Sequence, residues 1–295
     1  MGGVSEQNDG QKGGGPPPDE APGNIVQLSE SEEQEVRKRS ALRAAVVFET
    51  VRREGETEVS RPALALAFSG LAAGLSMGAS LVGTGVLRAH LADAPWRTLV
   101  ENLGYTLGFL IVILGRQQLF TENTLTAILP VLDDPDKPKK LMQMLRLWGI
   151  VLVTNLIGAA IFAEVVAKTA MFDANVKAMF MQIGLQALHP TFGEILWRGI
   201  LAGWLIALVV WLLPAANPQR VWIIVIITWL VGAAGLSHII AGSVEALYVV
   251  AAGAWPWTQY VTNFLLPVFI GNCIGGVGLV AILNYGQVVP EQGGD

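Results

Sequence analysis

The sequence predicts an all-α integral membrane fold: six transmembrane helices arranged as two inverted three-helix repeats, with helices 2 and 5 broken. Three observations predict it. Of the 295 residues, 52% are hydrophobic and 15% charged, with a mean hydropathy of +0.49, more apolar surface than a soluble domain of this size hides from water. Six apolar runs approach or exceed the ~20 residues that span a hydrocarbon core. Short similar stretches also recur in the same order in the two halves of the chain.

Taken in order, residues 1–27 are rich in Gly, Pro, Glu, Asp and Gln and hold too little apolar surface to offset the entropy of ordering, which predicts a disordered tail. The first 60 residues show no apolar core of a signal peptide. Residues 28–58 predict an amphipathic cytoplasmic helix: Ser29 and Glu32 match a capping box, Glu33/Arg37 and Glu35/Arg39 are acid-before-base pairs, and Val47 with Val51 forms an apolar edge. Its basic side (Arg37, Lys38, Arg39, Arg43, Arg52, Arg53) fits membrane lipid headgroups and open solvent equally well.

The membrane domain is expected over residues 60–287, followed by a short tail at 288–295. The first span, 62–87, carries no charge. The second, 99–132, is interrupted by Arg116, Gln117, Gln118, Thr121, Glu122 and Asn123; the third is 147–166 and the fourth 197–213. The fifth, 221–250, is interrupted by Ser237, His238, Gly242, Ser243 and Glu245, and the sixth is 260–285. Lys and Arg crowd the N-terminal flank and the loop after span two (Lys137, Lys139, Lys140, Arg146), which puts both termini in the cytoplasm. Trp96, Trp148, Trp222, Trp255 and Trp257 fall at expected span ends, where an amphipathic ring prefers the interface.

FSGLAAG at 68–74 resembles WRGILAG at 197–203, and NLIG at 155–158 resembles NCIG at 272–275, with an interrupted span between each pair of markers. A three-span unit inserts its second copy upside down. Irregular backbone at membrane depth survives only when buried in protein or lining a hydrated cavity, so two such breaks imply a shared central pathway. Gly70, Gly74 and Gly78, like Gly199/Gly203 and Gly271/Gly275, read as helix-packing positions. His238 is the one histidine in a span and reads as pore lining ahead of a satisfied core residue. Arg116 and Glu122 fit a structural ion pair and a role in selectivity about equally, since an isolated charge at mid-membrane costs ~2.5 to 3.5 kcal/mol. Arg198 and Glu245 pose the same question, and Glu194 stands four residues before Arg198, within pairing reach. Trp197, Trp204 and Trp211 form a stripe expected to face lipid or another subunit.

LFT-x-N at 119–123, the histidine of SHIIAG in the second break and the closing NFLLPVFIGNCIGG resemble the formate/nitrite transporter family over residues 60–287. The long N-terminal extension points to its YfdC-like branch. The resemblance implies an aquaporin-like fold, a homopentamer with one pore per protomer, a bacterial inner-membrane location, and formate, nitrite or hydrosulfide as substrate. It implies that Leu119, Phe120 and Thr121 form a constricting loop bonded near His238, with Tyr105 and Val231 as apolar gates. The sequence departs from the family pattern at Ala187, Leu188 and His189, where a lysine is usual, at Gly203 in place of an asparagine, and at Gln118 in place of an acid.

The expected function is passage of a small weak-acid anion or its neutral form. A neutral-solute channel, and a non-conducting scaffold or sensor acting through the N-terminal helix, stand as rivals. Net charge −5 speaks against nucleic acid as a partner, and the lone Cys273 against disulfides or thiol-ligated metal. With no metal-ligand spacing, nucleophile elbow or carboxylate pair, neither enzymatic activity nor a cofactor is expected.

Overall fold

The computed structural model describes residues 1–2, 29–32 and 42–292, in two units, Met1–Ala41 and Leu42–Asp295. In the first unit the capping box is present: Ser29 N and Oγ donate to Glu32 Oε2 at 2.9 and 2.7 Å, and Glu32 N donates back to Ser29 Oγ at 3.4 Å. The expected tail after residue 2, and residues 33–41 with the pairs Glu33/Arg37 and Glu35/Arg39, lie outside the described residues.

The second unit is helical throughout: α1 Ala44–Val59, α2 Ala63–His90, α3 Arg97–Glu101, α4 Thr106–Leu114, α5 Phe120–Thr126, α6 Ile128–Asp133, α7 Lys137–Lys168, α8 Ala174–Leu188, α9 Phe192–Leu212, α10 Arg220–Ala233, α11 Ile239–Ala251 and α12 Trp257–Val288. Among the described residues five helices are long and apolar enough to cross a membrane: α2, the run Arg97–Leu114, α7, α9 with the turn that ends it, and α12; α10 and α11 are apolar but shorter. Helix α12 passes through π-helical turns at Tyr260–Leu265 and Ile274–Ile282. Its C-terminal end meets α1, with the Phe48 and Tyr285 rings 5.9 Å apart, so α1 and the end of α12 lie at one end of the bundle. That end is called near, and the other far.

Helices α2 and α7 pack closely, as do α9 and α12, because small residues let backbones touch. A Cβ on Gly74 would collide with the Asn155 carbonyl oxygen, and one on Gly203 with that of Asn272. Each contact carries an asparagine onto a broken helix. Asn155 Oδ1 accepts from Phe120 N at 2.9 Å while its Nδ2 donates to the Gly70 and Gln118 carbonyls at 2.7 and 2.9 Å. Asn272 does the same one half later: Ile239 N donates to Oδ1 at 2.9 Å, and Nδ2 donates to the Gly199 and Ser237 carbonyls at 2.8 and 3.0 Å.

Several expectations need correction. The breaks are shorter than the polar residues suggest: the first covers 115–119 and the second 234–238, so Thr121, Glu122 and Asn123 already lie in α5, and Gly242, Ser243 and Glu245 in α11. Polar side chains inside those half-helices face protein or cavities, which helical backbone tolerates. Helix α8 was not anticipated; its mixed composition is that of a packed helix, with Asp173 accepting from Val176 N at its start. Trp148 is half-buried, edge-on to Phe120 at 5.5 Å and donating to the Asn123 carbonyl. Of the tryptophan stripe only Trp197 is open; Trp204 and Trp211 are half-buried against an apolar cluster that also includes the α1 edge Val47, Phe48 and Val51. That edge docks α1 on the bundle, and Arg52 and Arg53 turn to Glu49 at 2.8 and 2.6 Å.

Replacing Asn155 or Asn272 by leucine leaves an amide and two carbonyls unpaired in the core, at about 1–3 kcal/mol each. Thermal unfolding in detergent is expected to fall sharply for both variants and far less for Asn175→Leu, whose amide reaches one exposed carbonyl.

Candidate functional site

Both breaks have the same backbone. Helix α4 ends in a Schellman motif: Gln117 N donates to the Val112 carbonyl at 3.0 Å and Arg116 N to that of Ile113 at 3.3 Å. Helix α10 ends identically, Leu236 N reaching the Val231 carbonyl at 3.0 Å and Gly235 N that of Gly232 at 3.0 Å. The motif needs one residue at positive φ. Gly235 supplies it at 62°, whereas the matching position in the first break is Arg116 at 53°, a conformation that costs a side-chain-bearing residue roughly 1–2 kcal/mol. Its guanidinium is held by Glu54 of α1 at 3.1 Å. Arg116 therefore does not pair with Glu122, whose Oε1 is buried without a partner among the described residues.

After each motif one extended residue, Leu119 or His238, turns the chain into the next half-helix. The N-terminal ends of α5 and α11 meet, with Thr121 Oγ1 2.7 Å from His238 Nε2. The other ring nitrogen, Nδ1, caps α11 by accepting from Ile240 N and Ala241 N at 3.2 and 3.1 Å. An acceptor at Nδ1 assigns the ring proton to Nε2, which donates to Thr121. Phe109 lies edge-on to the imidazole at 4.9 Å, and Tyr105 tilts against Phe109 at 5.4 Å.

A cavity opens on either side of this contact. The far one, about 320 Å³, is lined among others by Thr84, Arg88, Tyr105, Arg198, His238 and Glu245. The near one, about 540 Å³, is lined by Glu54, Glu58, Arg116, Gln118, Glu122 and Arg220 among others. Of the residues singled out in the sequence, the structure thus joins Thr121 to His238, puts Tyr105, Arg198 and Glu245 on the far cavity, and puts Arg116 and Glu122 on the near one. Leu119 and Phe120 are wholly buried beside them, Phe120 stacking on Phe269 at 5.6 Å. Val231 is buried too but lines neither cavity; its carbonyl closes the Schellman motif. Glu194 does not pair with Arg198: it caps α9, accepting from Thr191 N and Oγ1 at 2.7 and 2.8 Å.

Sequence reasoning passed over Asn155 and Asn272 as more than markers, although an asparagine before IG at the middle of two apolar spans was the available signal. Glu58 was missed as well. It accepts from Gln118 Nε2 and Asn123 Nδ2, each at 3.1 Å, and from Thr126 Oγ1, fixing α1 to the first break. Burial pushes its carboxyl above the usual range, against these hydrogen bonds, which pull it down. Glu101 is 1% exposed and bonded to Arg88 at 2.5 Å; only its i,i+4 spacing from Arg97 hinted at a partner.

A helical membrane bundle whose two broken helices meet tip to tip between two cavities that carry charged side chains defines a membrane channel or transporter. Residues 45–286 match the formate/nitrite transporter family, and the chain belongs to it. The chain is 41% identical over 266 residues to the inner membrane protein YfdC of Escherichia coli (strain K12), covering 88% of this chain and 86% of that one. It is 26% identical over 254 residues to the formate channel FocA of Haemophilus influenzae, covering 76% and 86%. Among solved structures it is similar to a pentameric formate channel with formate bound (TM-score 0.65, 22% identity, 76% of this chain and 97% of that one) and to an FNT family ion channel (TM-score 0.69, 19% identity, 83% and 98%).

Two outcomes test these local assignments. Arg116→Gly relieves the positive φ but removes the ion pair to Glu54, so its unfolding temperature is expected to stay near wild type, while Arg116→Val, β-branched at that φ, drops clearly. Because the folded-state pKa of Glu58 is raised, the native state holds its proton at higher pH than the unfolded chain does. Stability therefore gains as pH falls through the raised value toward the ordinary carboxylate range, and Glu58→Gln is expected to lose that gain in thermal melts across the range.

Proposed function

We propose that this chain forms a homopentamer in a bacterial inner membrane, each protomer crossing six times as two inverted repeats with α1 and both termini in the cytoplasm. Each protomer passes a small weak-acid anion, or its neutral form, between the near and far cavities. The observation that carries the reading is the Thr121–His238 contact at 2.7 Å, where two half-helix N-termini converge between the cavities. The positive end of α11 favours negative charge at its tip. Just beside it Phe109, Leu119 and Phe120, all wholly buried, supply a hydrocarbon wall that a bare ion crosses at high cost.

An anion drawn to that point proceeds most readily once protonated. The Nε2 proton of His238 occupies the Thr121 oxygen, which leaves the Thr121 hydroxyl proton for a passing carboxyl or nitrite oxygen. Tyr105 narrows the approach from the far side, and Leu119, Phe120 and Val231 shape the constriction from behind rather than touching solute. Arg198 and Glu245 set the charge met at the far mouth, Arg116 and Glu122 that at the near mouth. The matched bonds of Asn155 and Asn272, position for position, support the inverted repeat.

The test is flux into proteoliposomes. Radiolabelled formate and nitrite are expected to enter faster than into protein-free vesicles and to accelerate on acidification in proportion to the neutral-acid fraction. His238→Leu, which uncaps α11, is expected to lose most of that flux, and His238→Asn, which keeps an acceptor for the helix amides, to retain part of it. Vesicles that pass no small monocarboxylate, nitrite or hydrosulfide sink the reading.

A further inference from the structure

The far cavity carries more charge chemistry than a passive antechamber requires. Helix α2 presents Thr84 and Arg88, four residues apart and so on one face. Thr84 is 3% exposed and its Oγ1 has no hydrogen-bond partner among the described residues. Arg88 gives Nη2 to Glu101 at 2.5 Å and Nη1 to Gln186 Oε1 at 3.0 Å, yet its Nε is buried and unpartnered among the described residues. Arg198 enters from α9 and, among the described residues, makes neither an ion pair nor a side-chain hydrogen bond. It stands just before Gly199, whose carbonyl Asn272 holds together with that of Ser237 in the second break. Glu245 enters from α11, seven residues and about 10 Å beyond His238, and is likewise unpaired among the described residues. All four side chains line the same space as His238.

We propose that the far cavity is a protonation chamber: Arg198, Arg88 and Thr84 seat a small carboxylate, and the Glu245 carboxyl gives it the proton with which it passes Thr121 and His238. This rests on the weak-acid reading above. In the step the O–H bond of Glu245 breaks, its electron pair stays on the Glu245 carboxylate, and a new O–H bond forms on a substrate carboxylate oxygen. Water in the far cavity then returns a proton to Glu245. The carboxylate left behind shares the cavity with the guanidinium groups of Arg88 from α2 and Arg198 from α9. The other titratable groups around α11 are committed elsewhere: His238 to its cap and Thr121, and the Tyr260 hydroxyl of α12 to Ser243 Oγ at 2.8 Å. Lys177 of α8 donates to the Thr169 and Ala167 carbonyls, and Glu101 is held by Arg88 and Arg97. Tyr105 lines the cavity as a phenol, and Glu164 and Lys168 of α7 are exposed.

The experiment uses full-length protein in vesicles loaded with a pH-sensitive dye, with radiolabelled formate as probe. Wild type is expected to admit formate and acid together, faster at lower external pH. Glu245→Gln, isosteric but without a transferable proton, is expected to slow entry at least about tenfold and to flatten the pH profile; Glu245→Asp restores both in part. Arg198→Gln is expected to raise KM and leave the shape of the pH profile intact. If Glu245→Gln keeps the wild-type profile, whatever its rate, Glu245 is not the donor and the proposal is overturned while the channel reading stands. If wild type itself admits no formate, the channel reading falls and takes this proposal with it.

Discussion

A helix broken inside an apolar bundle leaves amides and carbonyls that neither lipid nor hydrocarbon side chains can satisfy, and the rest of this fold is arranged around answering that need. Asn155 and Asn272 answer it. Each sits on an unbroken helix that glycines bring against its neighbour, and each presents one carboxamide to three backbone groups at once. The close approach and the hydrogen bonds depend on each other: a side chain at Gly74 or Gly203 would push the asparagine backbone away and open the break. With those bonds made, the half-helices α5 and α11 hold their tips together, and Thr121 meets His238.

On this shared framework the two halves diverge in detail. The left-handed corner of the first break is taken by an arginine that pairs with Glu54 of α1, while the second uses a glycine, with no side chain to place. The near end is consequently tied to α1 through Arg116 and Glu58, whereas the far end owes its polarity to α2, α9 and α11. The same folding problem has thus been solved with and without help from outside the bundle.

Much of this was legible in the sequence. Hydropathy marked every long span, since apolar length is what a membrane demands, and the paired FSGLAAG/WRGILAG and NLIG/NCIG stretches marked the contacts that hold the breaks. Thr121 and His238 were recognisable because their motif is distinctive. Break boundaries were less legible: a polar residue inside a half-helix facing a cavity looks like one in a loop, which is why Thr121, Glu122, Gly242 and Glu245 were read as interruptions. Partners across the fold were the least legible. Glu194 and Arg198 have ideal helical spacing, yet a local cap at Thr191 takes the carboxylate first. Arg116 and Glu122 are neighbours in sequence, but the left-handed turn aims the arginine at Glu54.

The positions that match across the two halves need not carry matching side chains. In the first half Ser69, just before Gly70, accepts the Gln118 amide at 3.0 Å; in the second, the residue just before Gly199 is Arg198, on the far cavity. Two breaks held by matching asparagine bonds therefore stand beside a hydroxyl turned inward in one half and a cation in the other. The asymmetry between the two mouths lies in a few side chains and not in the architecture that holds them.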